Sequence, residues 1–245
     1  MIPPASREAI WHELECGCYA ADLPIWLRLA SIARGPILDV GAGTGRVALA
    51  LAGAGHDVTA LDVDGALLQR LRARSLDAGL EIRAEQVDAR AFELGARFAL
   101  CVVPMQTIQL LGGAAGRAAF LRCAGRHLAP GAAVAAAIVD ELEGFEVADG
   151  DPAPLPDVCE RDGVVYSSLP VAVRVLGDRV VLERRREIVT PSGELTVAVD
   201  VTVLDRVDVD TLERECRSAG LRPAERIEIP PTDEHAGSTV VVARV

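Results

Sequence analysis

Ile37-Leu-Asp-Val-Gly-Ala-Gly-Thr-Gly-Arg46 is a short apolar run that enters a turn with glycine at positions 41, 43 and 45. An apolar run that stops at closely spaced glycines predicts a buried strand, a tight turn and the start of a helix. Glycine accepts positive φ and lets a ligand approach the backbone closer than any side chain permits, and the helix start behind it offers free N–H groups. The turn therefore reads as a loop for a nucleotide-type ligand, the competing reading being glycine used only for close strand–helix packing. A dinucleotide fingerprint, Gly-x-Gly-x-x-Gly, would need its third glycine where this chain has Arg46, so a nicotinamide dinucleotide is disfavoured.

The segments that follow extend the pattern. His56-Asp-Val-Thr-Ala-Leu-Asp62 reads as a second buried strand. Its terminal acid falls about twenty residues beyond Gly41, the spacing at which a carboxylate reaches ribose hydroxyls. Asp62 as a helix N-cap is the alternative, but Asp64 is better placed for that, directly before Ala66-Leu67-Leu68. A third strand, Glu81–Val87, leads into Asp88-Ala89-Arg90, and a fourth, Phe98–Val103, leads into Pro104-Met105-Gln106-Thr107. An amphipathic helix, Gly116–Leu128, is closed by Ala129-Pro130-Gly131 before the strand Ala132–Val139. Strands separated by helices cannot pair as hairpins, so this order predicts an α/β, doubly wound, mostly parallel sheet.

Asp39 together with the three glycines spells Asp-x-Gly-x-Gly-x-Gly. That resembles motif I of the class I (Rossmann-like) S-adenosylmethionine (SAM)-dependent methyltransferases of small-molecule type. The helix, Leu-x-Pro-Gly and apolar strand around residues 116–139 resemble the segment before that family's fifth strand. The likeness is specific over residues 36–140 and rests on element order over 206–245. It implies a seven-stranded core, with residues 1–35 as an N-terminal helical cap and 141–205 as a lid loop plus an inserted small antiparallel sheet. The last helix and two strands, in residues 206–245, would complete the core. It also implies SAM as cofactor, with S-adenosylhomocysteine as product. The positions matching the family's cofactor contacts are Tyr19, Asp39, Gly41, Ala42, Gly43, Gly45, Asp62, Val63, Asp88, Ala89, Pro104, Met105 and Gln106. Asp88 would lie near the adenine amino group, a backbone amide would meet the ring, and Tyr19 would touch the methionine carboxylate. A turn cap for Asp88 and plain packing for Tyr19 are the structural alternatives.

Composition narrows the chemistry. The chain has 245 residues and a formal net charge of −11, with 25 basic residues that are all arginine, since lysine and asparagine are both absent. Catalytic patterns that need Asn-Pro-Pro-Tyr, paired lysines or an Asp-Asn magnesium site are thereby unavailable, and there is no Pro-Cys nucleophile. What remains is metal-free transfer to oxygen or nitrogen of a small-molecule acceptor. Arg184-Arg-Arg186 is the only basic cluster and reads as a solvated strand face, so nucleic acid is not an expected partner. No apolar run approaches the roughly 18 residues of a bilayer span, and a cytoplasmic protein is expected. The six cysteines lack metal-ligand spacing and are expected to be reduced and mostly buried.

Residues 141–162 read as an irregular lid loop, and Val164–Leu204 as β-branched strands broken by Gly177-Asp178 and Pro191-Ser-Gly193. The inserted sheet suits a cover for the acceptor or, equally, an interface in a homodimer; monomer and homodimer stay open. A hydroxyl acceptor calls for a general base, and His12, His235, Tyr166 and Glu141 are the candidates. His56 and His127 fall at the opposite strand ends and read as structural. Trp11 and Trp26 read as packing residues. Two rival readings are a SAM-binding regulatory or assembly protein without turnover and a Rossmann-like oxidoreductase.

Overall fold

Strand β1 (Ile37–Val40) is an interior, fully buried strand of the main sheet, with Asp39 in register with Ala60 on one side and Val102 on the other. The computed structural model describes residues 4–140, 142–147, 154–232 and 235–245, with side chains from residue 7 onward. Two helices, α1 (Pro4–Cys16) and α2 (Leu23–Ile32), precede β1. After it come α3 (Arg46–Gly53), β2 (Val58–Asp62), α4 (Gly65–Asp77), β3 (Ile82–Gln86) and β4 (Phe98–Val103). A single 3₁₀ turn, Thr107–Leu110, leads to α5 (Gly113–His127) and β5 (Leu128–Ile138).

The chain ends with α6 (Val209–Ser218), β11 (Arg222–Ile229) and β12 (Ser238–Arg244), which close a seven-stranded sheet of order β11-β12-β5-β4-β1-β2-β3. Strands β1 to β5 are mutually parallel, and β12 runs antiparallel between β5 and β11. Both faces of so hydrophobic a sheet must be covered. One face packs through Leu38, Val40, Cys101 and Val103 against Phe120 and Leu121 of α5, with Leu212 of α6. The other packs through Ile37, Val58, Leu100 and Val102 against Trp26 of α2 and Leu51 of α3, with Leu68 and Leu71 of α4.

Between β5 and α6 lies a second, antiparallel sheet made of β6 (Phe145–Glu146), β7 (Asp157–Arg161), β8 (Val164–Leu176), β9 (Arg179–Val189) and β10 (Leu195–Asp205). The doubly wound expectation and the inserted sheet are thus both present. Three local expectations differ. The stretch 141–162 is not wholly irregular: β7 pairs with β8 through a tight Asp162-Gly163 turn in which both residues have positive φ, and its Asp-Val-Cys-Glu-Arg sequence carries no apolar alternation to announce a strand. The β3–β4 crossover is an irregular segment, not a helix. Strand β5 begins at Leu128, ahead of Ala129-Pro130-Gly131, and absorbs the interruption as a register shift against Phe98 and Leu100.

Candidate active site

The glycine turn sits at the carboxyl end of β1, between β2 and β4, where an open α/β sheet places its ligands. Gly41, Gly43 and Gly45 have φ of 69°, 55° and 91°, so each occupies the left-handed region. Space is as restrictive as conformation. A Cβ on Gly41 would stand 2.4 Å from the Thr107 side chain, and one on Gly43 would stand 2.3 Å from the His12 ring. The loop is held from β2: Gly41 and Ala42 donate to the Leu61 carbonyl at 2.8 and 3.0 Å, and Gly43 N–H donates to Asp62 Oδ2 at 2.8 Å. The other Asp62 oxygen accepts from Asp64 N–H at 2.9 Å, and Asp64 in turn caps α4 by accepting from Ala66 and Leu67. Asp62 therefore couples the ends of β1 and β2, and the N-cap role belongs to Asp64.

Asp39 is the unusual group. It is fully buried at the edge of the turn; the backbone N–H of Ala48, on the first turn of α3, favours its charged form, but neither carboxylate oxygen has a hydrogen-bond partner of good geometry among the described residues. Burial pushes its pKa up to about 7, the nearby Arg46 charge opposing and Asp62 adding to the rise. A buried carboxylate with so little hydrogen bonding is costly, and Asp39 lines the cavity above the glycine turn.

Arg46, the first residue of α3, instead spends its guanidinium on structure. Its two terminal nitrogens pair with Asp22 at 2.5 and 2.7 Å, and Nη1 also donates to the Tyr19 carbonyl at 2.8 Å. Asp22 additionally accepts from the Trp26 indole at 2.8 Å, so the N-terminal cap is bolted to the glycine-loop helix through one buried carboxylate. Helix α1 is fastened from its other side by Glu13, which pairs with Arg70 at 2.8 Å and lies 3.7 Å from Arg74. That clamp sets the His12 ring against Gly43, with Nδ1 3.3 Å from Thr44 Oγ1. Burial holds the His12 pKa below its ordinary value, against the opposing pull of Asp62, which keeps the ring neutral at pH 7.

A cavity of about 420 Å³ opens over this turn. Its floor is Asp39, Gly41, Ala42 and Arg46 with Pro104, Met105, Gln106 and Thr107 from the loop after β4. Met105 has φ of 54°, a left-handed conformation that costs energy in a non-glycine residue and is held by its surroundings. The side wall comes from α1, including His12 and Glu15, and from His235, whose ring lies 4.7 Å from that of Tyr19. The roof is the inserted sheet: Val173, Val180, Leu182, Thr202 and Leu204, with Arg184 and Arg186. Arg186 is bidentate to Glu15, at 2.7 and 2.8 Å, and reaches Asp200 at 2.8 Å. Arg184 makes only longer bonds, to Asp157 at 3.2 Å and Ser168 Oγ at 3.3 Å.

The sequence candidates separate on this geometry. Asp39, Gly41, Ala42, Pro104, Met105, Gln106 and Thr107 line the cavity with His12 and His235, while Gly43 and Gly45 shape the loop beneath it. Asp62, Val63, Asp88 and Ala89 lie at the ends of β2 and β3, beside the cavity and not on its wall. Asp88 accepts from Arg90 N–H at 2.8 Å and pairs with the Arg90 guanidinium at 2.6 Å, the turn-cap arrangement. Ala89 is buried in the core and Val63 is exposed. Tyr19 does not line the cavity either; its ring backs His235.

Tyr166 is displaced from the role expected of it: it is buried with its ring 5.3 Å from Trp11 in an edge-on contact and is not on the cavity wall. Glu141 lies outside the described residues. His127 is structural, with Nδ1 2.9 Å from the Cys123 carbonyl and Nε2 accepting from Leu94 N–H at 3.3 Å. Arg184-Arg-Arg186 is a correction, because only Arg185 faces solvent and its two neighbours face the cavity. Period-two alternation within a strand carried that signal, since adjacent residues cannot share a face. Half of the cysteines are buried, namely Cys101, Cys123 and Cys216, and Cys18 is exposed. Among the described residues there is no cluster able to hold a metal ion, and no helix is long and apolar enough to cross a membrane.

Residues 37–131 match the family model of the methyltransferase domain. Among curated proteins, the chain is 33% identical over 129 residues to the cypemycin N-terminal methyltransferase of a Streptomyces species, covering 53% of this chain and 51% of that protein. An uncharacterized protein of Mycobacterium tuberculosis is 35% identical over 100 residues, 38% of this chain and 36% of its own. The chain thus spans between about a third and a half of the length of the curated relatives it matches. Among solved structures, DesVI of Streptomyces venezuelae superposes with a TM-score of 0.71 at 21% identity, covering 98% of both chains. The sugar N-methyltransferase KedS8 from Streptoalloteichus gives 0.71 at 20% identity over 98% of this chain and 93% of its own. Glycine turn, sheet order and superposition agree on the fold: residues 37–131 match the methyltransferase-domain model, and the chain has the fold of the class I SAM-dependent methyltransferases.

Proposed function

We propose that the protein is a metal-independent SAM-dependent methyltransferase of the cytosol that methylates nitrogen or oxygen of a small-molecule acceptor. The observation that carries this reading is the shared cavity, with the glycine turn and Asp39 on its floor and an apolar sheet face, Val173, Val180, Leu182 and Leu204, as its roof. Donor and acceptor would therefore meet in one enclosed space, which a binding protein without turnover does not require. The residues fit the cofactor: Asp39 is a buried carboxylate on the cavity floor with no side-chain partner, suited to an α-ammonium group, and Asp62 keeps acceptor lone pairs at the end of β2 for ribose hydroxyls. Asp88, Ala89 and Val63, at the ends of β3 and β2, would lie on the adenine side of the same edge. When bound, SAM supplies an already activated methyl group, so no covalent protein nucleophile is needed.

The task left to the chain is to hold the acceptor in line, close and dehydrated. The roof of residues 141–205 excludes water, and Arg184, with spare donor capacity, orients a carbonyl or acidic oxygen of the acceptor. His12, neutral in its buried setting, and His235 are the imidazoles placed to take a proton from a hydroxyl. An amine needs only its neutral form, and the names of the cypemycin N-terminal and KedS8 enzymes support nitrogen.

The test is transfer of labelled methyl from SAM to a panel of amino sugars, free-amino peptides and small phenols. Labelled product that disappears in Asp39→Ala and falls in Leu182→Arg is the expected result. SAM binding with no labelled product across the panel would favour the binding protein instead.

A further inference from the structure

Strand β10 is the outer strand of the inserted sheet, hydrogen-bonded to β9 on one side and to no strand on the other among the described residues. Its outward face is Leu195, Val197, Val199, Val201 and Val203, each between 43% and 62% exposed. Edge strands of soluble proteins are normally blunted by charge, proline or a bulge; positions 195–203 hold no proline or bulge, and their one charge, Asp200, lies on the cavity side and is paired with Arg186 at 2.8 Å, so the outward face carries none of these. Over these residues the strand is long, regular and apolar on the side away from the cavity.

The sequence of the strand is also self-complementary. Antiparallel pairing with an identical strand about Val199 sets Leu195 opposite Val203, Val197 opposite Val201 and Val199 opposite itself. On the cavity side the same register sets Thr196 opposite Thr202 and Ala198 opposite Asp200, so no like charges meet. Moving the centre to Asp200 would instead confront two carboxylates, and moving it to Ala198 would set Val203 against Gly193. A two-fold interface needs one patch that matches itself, and centring on Val199 provides it across the whole apolar stripe, whereas centring on Val201 would set Val197 against Asp205. On β9, Glu183, Arg185 and Glu187 flank the stripe with a charged border, as a polar rim flanks an apolar interface core.

We propose that the chain forms a two-fold dimer by pairing β10 with β10 of a second copy, joining the two inserted sheets into one continuous sheet. The dimer is independent of the methyl acceptor and links the roofs of two cavities, since Thr202 and Leu204 of the same strand line each. Light scattering behind size exclusion tests it on the full chain at about 50 µM. The expected masses are twice the chain mass for wild type and the chain mass for Val199→Arg, with unchanged circular dichroism for the variant because Val199 is exposed. Register is read from Val199→Cys in a Cys18→Ser background: mild oxidation yields a disulfide-linked dimer, because facing positions of an antiparallel pair fall within disulfide reach. Val175→Cys in the same background, on β8 away from the axis, stays uncrosslinked. A monomeric wild type, or a Val199→Arg variant that remains dimeric, overturns the proposal.

Discussion

Asp39 carries a testable electrostatic signature. Its folded pKa, raised by burial to about 7, stands above the ordinary 3.8, so between about pH 4 and pH 7 the folded protein keeps a proton that the unfolded chain has lost. Stability of the unliganded protein should therefore fall as pH rises through that window and level off above it. Urea midpoints at pH 5.5 and 7.5 measure the fall, and Asp39→Asn should flatten it. SAM affinity should run the other way: an ammonium binds the ionised carboxylate, so affinity rises about tenfold per pH unit up to about 7, then declines as an α-amino group with a pKa near 8 loses its proton. Arg46 and Asp22 make the second residue-scale case. Both side chains are buried, and Arg46→Ala leaves Asp22 an unpaired buried charge, which should cost about 3–5 kcal/mol in chemical denaturation. Asp39 was legible in the sequence because it keeps a fixed offset from the glycines. The role of Arg46 was not, since its partner lies 24 residues earlier and only the fold brings them together.

At the scale of elements, the glycine turn and α1 form one device. Gly43→Ala imposes a side chain at φ of 55° and drives it into the His12 ring, so α1 must move off the turn. The expected cost is about 1–3 kcal/mol of stability and at least a tenfold loss of SAM affinity by calorimetry. Gly53→Ala, at the end of α3 with nothing within 4 Å of the new Cβ, should change neither. On β9, alternation makes a similar contrast: with any acceptor identified by labelling, Arg184→Met should raise its KM and leave SAM affinity unchanged, whereas Arg185→Met should alter neither. The strand pattern of residues 164–204 was visible from its β-branched runs and turn glycines. Which face of it meets the cavity was not, because both faces carry apolar residues, Leu182 and Leu204 inward and Val199 and Val201 outward.

In the molecule as a whole, three parts close one cavity: the parallel core supplies the turn, α1 and α2 clamp it from the side, and the inserted sheet covers it. Core order was readable because each strand–helix alternation is local, with hydrophobic periodicity to mark it. Closure depends on contacts remote in sequence, such as Glu15 with Arg186 and Gln109 with the carbonyls of Val139 and Asp205, and these become evident only in three dimensions. The central claim is that this cavity is a SAM site. Isothermal titration of the full chain with SAM, S-adenosylhomocysteine and NAD tests it most directly. One-to-one binding of both sulfur compounds, weakened at least tenfold by Asp39→Ala, with no heat from NAD, is the predicted result. Binding of NAD alone, no binding at all, or SAM affinity untouched by Asp39→Ala would contradict it.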